Sequence, residues 1–75
     1  EVYPNPCKNW FFLKISDAGS YDVSLIDSGG RRIMNRTVNE GATRLDVKAL
    51  NSGIYFVIVR DKSTGYTSSA RVIVR

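Results

Sequence analysis

The run Gly53-Ile54-Tyr55-Phe56-Val57-Ile58-Val59-Arg60 holds six consecutive apolar residues, all β-branched or aromatic, between a glycine and a charge. That makes it the strongest strand signal in the chain. Both of its alternating sets, Ile54/Phe56/Ile58 and Tyr55/Val57/Val59, are apolar, and this predicts a central strand covered on both faces. Asp61-Lys62-Ser63-Thr64-Gly65 then supplies the residues of a turn into Tyr66 to Arg75. The last third of the chain reads as one hairpin. Its closing segment sets Ala70/Val72/Val74 on an inner face and Arg71/Ile73/Arg75 on an outer one.

Upstream the pattern is also of period two. Trp10 to Ile15 places Phe11/Leu13/Ile15 on one face and Trp10/Phe12/Lys14 on the other, and Ser16-Asp17-Ala18-Gly19-Ser20 closes it as a loop. Tyr21/Val23/Leu25 alternate with Asp22/Ser24/Ile26, and Ser28-Gly29-Gly30 turns that strand into Arg31 to Val38. Asn39-Glu40-Gly41 is read as a further turn before Thr43 to Val47. Glu1 to Lys8, with Pro4 and Pro6, forms a lead-in segment. Composition favours an upstream linker there; the sharper alternative docks Tyr3 on the domain and lets Asn5 bond backbone across the Pro-Asn-Pro bend. With no helical periodicity, the expectation is an all-β fold: a small immunoglobulin-like antiparallel β-sandwich of about seven strands.

Seventy-five residues make one domain, residues 1–75, whose stability should be roughly 4–11 kcal/mol on the usual per-residue range. The single cysteine, Cys7, excludes an internal disulfide, and the lack of histidine removes the commonest metal ligand and general base. The acidic residues fall mostly in or beside turns, and no nucleophile and base pair is evident, so neither an enzyme nor a cofactor is expected. The net charge of +4 is scattered along the chain, which argues against a nucleic-acid partner. No apolar run is long enough to cross a bilayer as a helix, and direct membrane insertion is not expected. The chain starts at Glu1 without an initiator Met, which reads as a fragment or processed product of a longer protein. Gly29-Gly30 is followed by a strand pattern, so it does not form a helix-capped phosphate cradle.

Four stretches, taken in order, change the functional picture: Tyr3-Pro4-Asn5-Pro6; Tyr21 to Asp27 with Gly29-Gly30-Arg31-Arg32-Ile33; Leu50-Asn51-Ser52-Gly53-Ile54-Tyr55-Phe56-Val57; and Arg71-Val72-Ile73-Val74-Arg75. Together they resemble the type A C-terminal sorting domain of the bacterial type IX secretion system, over essentially the whole chain. Two departures stand out. The middle turn is Ser28-Gly29-Gly30, where family members commonly carry an asparagine beside the glycine. The terminal segment bears Arg71 and Arg75, where lysine is frequent, and arginine differs in hydration and hydrogen-bond geometry.

The resemblance implies a secretion signal at the end of a larger cargo. The folded module would pass through the periplasm, be read by the secretion machinery, and reach the outer-membrane surface or the medium, with removal by a surface sortase. On this reading Gly53, Ile54 and Tyr55 shape a platform, Val72 and Val74 anchor the last strand, Arg71 and Arg75 face the receptor, and Tyr3, Pro4, Asn5 and Pro6 form the N-terminal motif. The closing hairpin would be read by strand addition or through its side chains. The rival is an immunoglobulin-like accessory module of a secreted enzyme or adhesin, spacing domains or binding carbohydrate through Trp10, Phe12 and Tyr66.

Overall fold

The computed structural model describes residues 2–75 and contains five strands: β1 (Val2–Tyr3), β2 (Trp10–Asp27), β3 (Arg32–Asp46), β4 (Gly53–Asp61) and β5 (Thr67–Val74). All strand pairings are antiparallel and join one sheet. One edge of β2 carries β3 along its whole length. The other carries β1 opposite Phe12 and Leu13, and β4 opposite Tyr21 to Asp27. β5 lies outside β4.

The all-β class and antiparallel pairing match expectation; the strand count and the two-sheet sandwich do not. Ser16 to Ser20 is not a loop, and Asn39-Glu40-Gly41 does not end a strand, because both lie inside the long β2–β3 hairpin. Ile15 pairs with Gly41 and Ser20 with Asn39, so four residues of β2 oppose one of β3. An excess this large bends the ribbon without breaking it. Gly19 and Gly41 occupy φ of 142° and 113° at the bend, a region that suits glycine. Each of the two long strands therefore supplies two of the segments that the alternation had separated. The sheet curls into a half-barrel.

The curl decides which face is inside. Phe11, Leu13, Tyr21, Val23, Leu25, Leu45, Val57, Val72 and Val74 are buried in one cluster with Cys7, Val38, Val47 and Tyr55. Turn chemistry closes both hairpins in the same way. At β2–β3, the Asp27 carboxylate accepts N–H bonds from Gly29 (3.0 Å) and Arg31 (2.8 Å). At β4–β5, the Asp61 carboxylate accepts the Ser63 N–H (2.9 Å) and hydroxyl (2.8 Å). A glycine with positive φ, Gly30 or Gly65, follows in each turn.

One expectation about β4 fails. Tyr55 and Val57 are buried, yet Ile54 and Phe56 on the opposite face are 44% and 38% exposed. β4 lies inside the sheet, between β2 and β5, so its edges are covered, but its outer face has no layer packed on it.

Candidate recognition surface

The structure brings the N-terminal motif and the C-terminal strand together. Pro4 and Pro6 follow cis peptide bonds, and between them Asn5 reaches across to β5. Its amide donates to the Arg71 carbonyl at 2.8 Å, and its side-chain oxygen accepts the Ile73 N–H at 2.9 Å. A carboxamide offers one donor and one acceptor in a plane, like a peptide group, so Asn5 stands in for one residue of a neighbouring strand. Cys7 continues the ladder with its backbone: its N–H donates to Ile73 (2.9 Å), and its carbonyl accepts the Arg75 N–H (2.8 Å). This parallel bridge, Cys7 with Val74, occupies the outer edge of β5 near its end. Cys7 is itself buried, and that burial raises its thiol pKa.

Two sequence readings are corrected here. The lead-in is tied into the fold and is not a loose linker, and Asn5 bonds β5 and not its own bend. The closing ribbon does not offer a fully open edge for strand addition, because residues 71–75 already carry the N-terminal segment. Their side chains remain available. Arg71 and Arg75 are exposed, while Val72 and Val74 are buried, as the alternation required. Gly53 is exposed, Ile54 is exposed, and Tyr55 is buried with its hydroxyl donating to the Asn51 carbonyl at 2.7 Å. Thus Tyr55, Val72 and Val74 face the core, and Ile54, Arg71 and Arg75 are exposed.

The rival carbohydrate site is not assembled. Trp10 packs against Phe12 edge-on, with rings 65° apart and centroids 5.2 Å apart, and Tyr3 tilts against Phe12 at 34°. Such geometry suits mutual packing across β1 and β2, whereas a sugar-stacking platform requires coplanar rings. Tyr66 instead borders a cleft with Leu13, Ile15, Tyr21 and Val59.

Electrostatics on the described surface divides the cations into two groups. Arg31 pairs with Asp27 (3.3 Å), Arg44 with Asp46 (3.5 Å), and Arg60 and Lys62 with Asp22 (3.7 and 4.0 Å). Among the described residues, Lys8, Arg36, Lys48, Arg32, Arg71 and Arg75 have no acidic partner within ion-pair distance. Sequence reasoning singled out the last two from their place in the terminal segment. Arg32 was missed because its position in space depends on the bulge opposite Leu25 and Ile26, which alternation does not encode.

Comparison with known proteins adds what geometry alone does not reveal. The family model described as a secretion system C-terminal sorting domain matches residues 1–75. Among solved structures, the chain superposes on part of PorZ, an essential bacterial surface component of the type-IX secretion system of Porphyromonas gingivalis, with a TM-score of 0.73 and 24% identity. The match takes in 100% of this chain and 11% of that one. At this identity the likeness speaks for the fold. No curated protein matches the sequence.

Proposed function

Since the chain belongs to the family of secretion-system C-terminal sorting domains, we propose that it is the address by which the type IX machinery exports a larger cargo. The observation that carries this reading is the family match over the full 75 residues. The fold shared with a domain of PorZ supports it. A sorting signal makes and breaks no bond itself. Its work is to be recognised while folded, which requires a rigid surface with unsatisfied binding capacity. The exposed Ile54, Arg71 and Arg75 supply such capacity, over a platform set by Gly53, Tyr55, Val72 and Val74.

In this proposal residues 1–75 act as a single module. Tyr3, Pro4, Asn5 and Pro6 close it by tying the incoming chain to the last strand. The cargo lies upstream, passes through the periplasm, and is released at the outer-membrane surface by a sortase cutting on the N-terminal side of Tyr3.

Surface export of a reporter in a bacterium with a type IX system tests this function. Fusing residues 1–75 to its C-terminus should bring the reporter to the cell surface, and removing them should leave it inside. Equal surface exposure with and without the fused domain would overturn the assignment. Deleting β5 alone is a poorer test, because Val72 and Val74 are 0% and 2% exposed core residues and their loss would unfold the rest.

A further inference from the structure

The outer face of β4 exposes Ile54 and Phe56, which the fold leaves uncovered. By register, Phe56 of β4 lies between Arg71 of β5 and Ile26 of β2, and Ile26 lies opposite Arg32 of β3. Four neighbouring strands thus form one row that reads Arg71, Phe56, Ile26, Arg32. Ile54 and Ile58 extend the apolar centre along β4, and Ile73 sits beside Ile54. Strands in a sheet are about 4.8 Å apart, so three steps separate the two arginine backbones by about 14 Å. Neither arginine is ion-paired among the described residues.

We infer that this face docks a protein surface with an apolar centre and a carboxylate on each side, spaced to meet Arg71 and Arg32. This rests on the sorting-signal reading and names the recognition chemistry behind it. Charge complementarity selects the occupant. A second copy of the chain fits poorly, because a twofold pairing of this face would bring its unpaired arginines against arginines. The one acid farther along the face, Asp22, already serves Arg60 and Lys62. An acidic-rimmed partner gains both contacts, and guanidinium groups suit two-pronged bonding to carboxylates. Recognition of a face and not an edge also agrees with the Asn5 and Cys7 bonds that occupy the end of β5.

The test places a photo-crosslinking residue at position 56, and in a separate fusion at position 12, in the exported reporter. Position 56 should crosslink to one component of the secretion machinery and position 12 should not. Arg32→Glu with Arg71→Glu should cut both that crosslink and surface export about tenfold or more, since charges that meet their like across an interface slow association and weaken the complex. Arg36→Glu with Lys48→Glu, an equal charge change elsewhere, should leave both intact, and protease resistance of the fused domain should confirm that each variant is folded. Phe56→Ser should reproduce the loss without any change of charge. If the unmodified fusion is not exported, the sorting-signal reading itself fails. If it is exported while the double reversal and Phe56→Ser travel and crosslink as well as the unmodified domain, the docking face alone is refuted. Crosslinking at position 56 only to a second copy, to the cargo or to anionic lipid also refutes it.

Discussion

Asn5→Ala is the most informative single change to the fold, because it cuts contact between residues 66 and 68 positions apart without touching the core. Two hydrogen bonds are lost, of 2.8 and 2.9 Å. Each is worth about 0.5–1.5 kcal/mol net, which gives about 1–3 kcal/mol for the pair. The site is exposed, so water can solvate the freed Arg71 carbonyl and Ile73 amide, and the effect should fall near the lower end. Against a total of roughly 4–11 kcal/mol this is still a sizeable fraction. With an m value of about 1 kcal/mol/M for so small a protein, the urea midpoint should drop by about 1 M. Hydrogen exchange should localise the damage at the Ile73 amide. Asn5→Asp provides the control: at neutral pH it keeps an acceptor for Ile73 but turns a carboxylate oxygen toward the Arg71 carbonyl. It should be no better than alanine there, and should recover part of the loss on acidification, when a protonated carboxyl can donate. An unchanged midpoint together with undiminished protection of the Ile73 amide would show that the clasp contributes nothing and that the terminal strand is held by its inner face alone.

Two further outcomes follow from the packing and the turns. Phe11→Ala removes a side chain with 0% exposure and should cost about 3–5 kcal/mol, leaving a chain that is partly unfolded at room temperature by circular dichroism. Acid should destabilise the domain through Asp27 and Asp61. The Arg31 N–H is the main cause of the lowered pKa at Asp27, as the Ser63 hydroxyl is at Asp61. Because each folded pKa lies below its unfolded value, the stabilisation is complete above the ordinary carboxylate range and is lost as pH falls through the lowered values. Urea midpoints measured down the acid limb should therefore fall less steeply in Asp27→Asn and Asp61→Asn than in the parent.

The inner faces are legible in the sequence. Phe11 with Leu13, Tyr21 with Val23 and Leu25, and Val72 with Val74 alternate with residues that are half-buried or exposed, and each set is buried. The turns at Asp27 and Asp61 were legible too, since an aspartate followed by glycine states its own geometry. Ser16 to Ser20 was misread because a polar, glycine-containing stretch looks the same whether it leaves a sheet or bulges within one. Only the partner strand, which spends one residue where β2 spends four, distinguishes the two. Asn5 was misplaced for a related reason: a side chain that mimics a peptide group carries no mark of which distant backbone it will meet.

Side-chain alternation and local turn residues act over a few neighbouring positions, and so the linear code was sufficient for the extended segments, for inside against outside on most of them, and for the two tight reversals, but not for which segments join into one strand. The exposed apolar face of β4, the arginines flanking it and the clasp at the chain ends arise from register and curl, which are properties of pairs of strands far apart in the chain. An all-apolar strand says that both faces avoid water. Whether the cover for the second face comes from its own fold or from another protein is settled by how the sheet closes, and here the sheet curls toward Tyr55 and Val57 and leaves Ile54 and Phe56 outside.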